Sequence, residues 1–230
     1  MSLKKLSLVL LSLVLVGGVM TVRAENPQPN AEQIARCRAA AEKGDAAAQY
    51  NLGVAYKNGG GVKKDFEQAA KWWRKAAEQG FAPAQSNLGA CYGNGLGVEK
   101  DFEQAVKWYR KAAEQGDAMG QYNLAWCHEH GEGVPKDLEQ AVKWYRKAAE
   151  HGYALAQYKL GVFYKDPEQA AKWWRKAAEQ GYAPAQYALG ACYYNGGGVP
   201  KNLEKAEHWL RKSAAQGFEP AKQTLKNLGY

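Results

Sequence analysis

The sequence predicts an all-α protein, an α/α superhelical solenoid of five helix-turn-helix repeats with a capping helix at each end. Three observations predict it. A short motif, Gln49-Tyr50-Asn51-Leu52-Gly53, returns at Gln85, Gln121, Gln157 and Gln186, with steps of 36, 36, 36 and 29 residues. A second motif follows each copy, running from Asp65 to Gly80 and returning from Asp101, Asp137, Asp166 and Asn202. Glycines separate the two: Gly59 to Gly61, Gly95 and Gly97, Gly131 and Gly133, Gly196 to Gly198. Repetition at this period is the signature of an array in which each unit buries its apolar face only against its neighbours.

The elements follow in order. Residues 1–24 read as a secretory signal, separate from the fold. Lys4 and Lys5 precede an apolar run from Leu6 to Val16, and Val22-Arg23-Ala24 supplies the small residues of a cleavage site after Ala24. No Cys follows that site, which argues against a lipid anchor, and cleavage leaves no stable membrane insertion. Losing Lys4, Lys5 and Arg23 lowers the net charge from +8 to +5. Residues 25–44 form a polar tail and a capping helix, because Ala40-Ala41-Glu42-Lys43-Gly44 matches the end of a second helix. The repeats then occupy 45–80, 81–116, 117–152, 153–181 and 182–217, and residues 218–230 form the C-terminal capping helix.

Within a repeat, the first helix starts near Asp45 or, in later copies, near Pro83 and Pro184, where proline suits the first turn. It stops at the glycines. The second helix opens on Asp65, Asp101, Asp137 or Asp166, each with a Gln three residues on, close to a capping box. Phe66, Ala69, Ala70, Trp73, Ala76 and Ala77 form one apolar stripe at helical spacing. Glu67–Lys71 and Arg74–Glu78 are placed to pair at i,i+4. Repeat four lacks seven residues, with Lys165-Asp166-Pro167 replacing the Gly-rich loop, which predicts a notch in the loop edge.

The first-copy residues Leu52, Gly53, Tyr56, Gly59, Gly61, Val62, Ala69 and Trp72 closely resemble the Sel1-like repeat family, a relative of the tetratricopeptide repeat. The resemblance spans nearly all of residues 25–230. It implies an α/α superhelix and a role as an adaptor or scaffold in bacterial envelopes, signalling or host contact. For cysteine-rich relatives it also implies penicillin-binding or β-lactamase-like activity, the alternative function. This chain departs from that branch, because Ala77 and Gln49 stand where the paired cysteines of each repeat would be.

Four cysteines in an exported chain suggest disulfides. Cys91, Cys127 and Cys192 are equivalent residues of the first helices of repeats two, three and five, and equivalent helices of stacked repeats lie about 8–10 Å apart. A disulfide needs Cα atoms within about 7 Å. They are therefore expected to be free packing thiols, as is Cys37.

Four other chemistries were weighed. Cys127-His128-Glu129-His130 carries metal-ligand residue types, but neighbours on a helix point apart, so no metal is assigned. Serine catalysis lacks a motif, since Ser86 and Ser213 have no Lys at the required spacing. Gly93, Gly95 and Gly97 follow no strand and lack a phosphate-loop Lys, so no nucleotide cofactor is assigned. Export and interleaved acids argue against nucleic acid.

That leaves binding of a protein or peptide in the periplasm or outside the cell. First helices should line the concave face. Matched by position, the groove is expected to hold Tyr50, Ser86, Tyr122, Tyr158 and Tyr187, then Val54, Trp126 and Val162 one turn on, then Lys57 and Glu129. Tyrosines offer broad apolar area with a polar tip, and Trp126 is the expected hot spot.

Overall fold

The computed structural model describes residues 30–229, so the segment read as a secretory signal lies outside the described residues. These residues form twelve helices and no strand. The capping helix α1 (Ala31–Glu42) precedes five pairs: α2 (Ala46–Asn58) with α3 (Phe66–Glu78), α4 (Ala82–Asn94) with α5 (Phe102–Glu114), α6 (Ala118–His130) with α7 (Leu138–Glu150), α8 (Ala154–Phe163) with α9 (Pro167–Glu179), and α10 (Ala183–Asn195) with α11 (Leu203–Ala215). The closing helix α12 (Glu219–Asn227) stands where a sixth first helix would be. Among the described residues no helix is long and apolar enough to cross a membrane.

The capping chemistry explains the boundaries. The side chains of Asp65, Asp101 and Asp137 accept from the backbone N–H three residues on, and Asn202 does the same for α11. The reciprocal half of a capping box closes at α1, where Asn30 and Gln33 exchange bonds. At the other end, Gly59, Gly95, Gly131 and Gly196 hold the left-handed conformation that ends a helix without a Cβ penalty. Repeat four has no such glycine. There α8 stops on an extended Tyr164 and is ten residues long against thirteen for its siblings.

The core is linear. Second helices present small residues and one large side chain inward, as at Ala69, Ala70, Trp73, Ala76 and Ala77, all buried, with Leu210 in place of the ring in α11. Each first helix packs on both sides and buries Leu52, Leu88, Leu124, Leu160 or Leu189 completely. The glycine after that leucine makes room for the ring: a Cβ on Gly53 would lie 2.5 Å from Trp73 Nε1. Trp73 Nε1 donates to the Tyr50 carbonyl at 3.1 Å, closing the same contact.

Two ladders cross the junctions. A buried glutamine of each first helix donates to a carbonyl of the helix before it, as Gln85 does to Ala77 at 3.1 Å. An arginine of the capping helix and of three second helices reaches a tyrosine of the next repeat: Arg38 to Tyr56, Arg74 to Tyr92, Arg146 to Tyr164 and Arg175 to Tyr193. These arginines therefore do not form the expected i,i+4 pairs. Lys75 instead stacks on Trp72, 4.2 Å from the ring centroid, an arrangement repeated at Lys111, Lys147, Lys176 and Lys212. Among the described residues neither Glu67–Lys71 nor Arg74–Glu78 is an ion pair. A neutral phenol and an indole face hold these cations better than a solvated carboxylate, whose pairing is worth only about 0.3–0.5 kcal/mol.

The loop edge is also built across junctions. Gly97, Gly133 and Gly198 seat their backbone against the start of the preceding second helix, at Phe66, Phe102 and Pro167, where no Cβ would fit. Repeat four has no loop to place there. The start of α7 is left uncovered and Leu138 is 48% exposed.

Candidate binding groove

Helices α4 and α6 touch directly, whereas no two second helices pack together to a comparable extent. The first residues of the first helices and the residues that open the next ones form one row along the array.

Tyr50, Tyr122, Tyr158 and Tyr187 sit in this row, half-buried. Each ring pairs with the aromatic residue that opens the next first helix: Tyr50 with Phe81 at 5.4 Å, Tyr122 with Tyr153 at 5.3 Å, Tyr158 with Tyr182 at 5.4 Å, and Tyr187 with Phe218 at 5.6 Å. The tyrosines thus pack between repeats and line the groove at once. Burial raises the Tyr50, Tyr122, Tyr153 and Tyr182 phenols above their ordinary value, so they remain neutral donors at physiological pH.

Ser86 departs from the expectation. It is 0% exposed and presents nothing to the groove. Its hydroxyl donates to Asp117 Oδ1, the residue that opens α6 in place of an aromatic. A serine too short to reach the surface has exchanged a ring pair for a hydrogen bond.

Glu129 is present but engaged. Lys159 Nζ lies 2.9 Å and 3.0 Å from its two carboxylate oxygens, and the Tyr145 hydroxyl donates to Oε2 at 2.5 Å. The pair is mostly covered, with side-chain exposures of 25% for Lys159 and 18% for Glu129. Burial alone would raise the Glu129 carboxyl. The bonds from Tyr145 and Lys159 and the lysine's charge outweigh burial and leave it below its ordinary value.

Trp126 packs against two rings. It is half-buried between His130, stacked at 4.4 Å, and Phe102 of the preceding repeat, stacked at 6.2 Å. Val54 is packed against the core of its own repeat, and Lys57 is half-buried near Cys91. Val162, in the short repeat, is 57% exposed.

The remaining sequence candidates separate in space. Cys127 is buried, His128 is buried beside Arg110, Glu129 faces the groove and His130 lies on Trp126. Among the described residues no three His, Cys, Asp or Glu side chains converge as a metal site. Ser86 and Ser213 are both buried and donate to fixed acceptors, Asp117 and the Ala183 carbonyl. All four cysteines are free, with Cys37 and Cys192 half-buried rather than fully buried. Burial pushes the Cys91 thiol up to about 11 and the Cys127 thiol up to about 12, so neither is a nucleophile at neutral pH.

Sequence reasoning missed Phe81, Asp117, Tyr153, Tyr182, Phe218 and Lys159. A signal existed for the first five. Residues at the tyrosine position and at the start of the next repeat change together, Tyr with an aromatic and Ser86 with Asp117.

Five segments, residues 46–81, 82–117, 118–153, 154–182 and 183–218, match the family described as the Sel1 repeat. A Sel1 repeat protein from Oxalobacter formigenes is 39% identical over 85% of this chain and 80% of its own, with a TM-score of 0.77. The protein c5321, described as a protective antigen of uropathogenic Escherichia coli with an SLR fold, is 40% identical with a TM-score of 0.73. That match covers 86% of this chain but 44% of c5321, so the chain spans under half its length. Immunity protein Pa5087 from Pseudomonas aeruginosa is 29% identical over 76% of this chain and 67% of its own, with a TM-score of 0.55. No curated protein matches.

Proposed function

The chain belongs to the Sel1 repeat family, and from that premise we propose that it is an exported scaffold that binds a protein or peptide along its inner groove. The observation that carries this reading is the row of half-buried tyrosine pairs on the concave side. Each pair offers an apolar face with a phenol donor, and recurrence along the array multiplies weak contacts into one extended surface. Rigid rings already packed between repeats lose little conformational freedom on binding, which favours affinity. The basic start, apolar run and small residues ending at Ala24 support export to the periplasm or beyond.

The test is capture from envelope extract on immobilised protein. Wild type and Lys71→Ala on the outer face are expected to retain the same partner. Tyr122→Ala is expected to lose it while remaining folded by circular dichroism, and Trp126→Ala to weaken it less. Capture unchanged by Tyr122→Ala would refute the groove. N-terminal sequencing of the cell-derived protein is expected to begin at Glu25; retention of Met1 would refute cleavage after Ala24.

A further inference from the structure

The tyrosine row is interrupted once, and the interruption has its own chemistry. Between the second and third repeats both members of the ring pair are replaced, by Ser86 and Asp117. The helices close up there. A Cβ on Gly120 would lie 2.7 Å from Ala112 Cβ and 2.8 Å from Ser86 Oγ, so glycine alone admits this approach, and here α4 and α6 come into direct contact. Asp117 Oδ1 accepts both the Ser86 hydroxyl, at 2.5 Å, and the Gly120 N–H, at 2.7 Å. The carboxylate is half-buried, and among the described residues it has no cation within ion-pair distance.

Two phenols lie near it. The Tyr50 phenol is hydrogen-bonded with Asn87 and lies close enough to Asp117 to feel its charge, as does Tyr153 from the other side. The other groove carboxylate, Glu129, is already neutralised by Lys159. Asp117 thus caps α6, has no ion-pair partner among the described residues, and lies near the Tyr50 and Tyr153 phenols.

We propose that the inner groove takes an extended peptide segment whose lysine or arginine side chain lies on Asp117, with an apolar side chain about three residues away on each side. The cation would meet the carboxylate between the Tyr50 and Tyr153 rings, and the apolar side chains would lie on the Tyr50–Phe81 and Tyr122–Tyr153 pairs. The spacing follows from two lengths: neighbouring helices lie about 8–10 Å apart and an extended chain advances about 3.3 Å per residue. The idea rests on the groove being a peptide site, and it specifies which peptide.

The test uses synthetic decapeptides with leucine at two positions three residues either side of a central Lys, Arg, Gln or Glu. Binding to the purified protein is read by fluorescence anisotropy. Lys and Arg peptides are expected to bind about tenfold more tightly than Gln, and Glu peptides most weakly. Asp117→Asn keeps a good helix cap and an acceptor for Ser86 while removing the charge. It is expected to abolish the preference, so that Lys, Arg and Gln peptides bind alike. Shifting the leucines by one residue is expected to weaken Lys-peptide binding. Binding without a charge preference, or a preference that survives Asp117→Asn, would overturn this inference and leave the groove intact as a peptide site. Absence of binding by every peptide would overturn it too, while a partner captured through Tyr122 would still uphold the broader reading.

Discussion

The first and third repeats share one backbone and solve the same packing problem differently. In the first, Gly53 receives the Trp73 indole, Gln79 donates to Gln49 at 2.8 Å, and Tyr56 receives Arg38 at 3.0 Å. In the third, Ala125, Tyr145, His151 and His128 stand at the corresponding positions. The exchange leaves two buried polar atoms unpartnered among the described residues, Gln121 Oε1 and His128 Nδ1. It also creates the Tyr145–Glu129–Lys159 cluster that the first repeat lacks. The third repeat gives up regular ladder contacts and gains a charged station in the groove.

The largest expected effect breaks the regular side. Gly53→Ala drives a methyl to 2.5 Å from Trp73 and is expected to cost about 3 kcal/mol in urea unfolding. The reverse change in the third repeat, Ala125→Gly, is expected to cost only about 1 kcal/mol. Equal costs would show that the two ring pockets are not distinct.

Next is the charged station. Lys159→Met leaves the Glu129 carboxylate without its cation and is expected to cost about 1–2 kcal/mol at pH 7. Glu129 is depressed in the folded state, so its contribution is present above its unfolded value and lost as pH falls through the folded one. The wild type is therefore expected to lose this increment below about pH 4.5, and Lys159→Met is expected to have little of it left to lose.

His128→Tyr restores the arginine–tyrosine contact with Arg110 and is expected to add about 1 kcal/mol at pH 7. Burial and the Arg110 charge hold His128 below its ordinary value of 6.5. The unfolded chain then binds the extra proton first, so wild-type stability falls as pH drops below 6.5. A melting series from pH 7.5 to 5 is expected to slope less in the variant. Smallest is His151→Gln, which gives Gln121 Oε1 its missing donor and is expected to add about 0.5–1 kcal/mol.

Much of the fold was legible in the sequence. Second helices are one-sided, so their stripe at Ala69, Trp73 and Ala76 announced both the helix and its buried face. First helices are apolar on nearly every side, because they pack on both neighbours. Periodicity then identifies the helix without telling which flank meets the neighbouring repeat, and so the contact of Trp126 with Phe102 is not legible in the sequence. The i,i+4 ion pairs failed for a related reason. Local spacing brought Arg74 near Glu78, but the junction offered Arg74 the Tyr92 hydroxyl at 2.7 Å. Lys159 escaped notice because it replaces an asparagine in other repeats and gains meaning only beside Glu129.

The absent loop of the fourth repeat has a mechanical consequence. Glycine backbones clasp the junctions below repeats two, three and five, at Phe66, Phe102 and Pro167. The junction between repeats three and four has no such clasp and is bridged instead by Lys159 and Glu129. A steric clasp is indifferent to solvent, whereas a charge bridge weakens in acid and brine. The rod thus carries, off its centre, one junction whose added tie answers to pH and salt, while the ties of its neighbours do not.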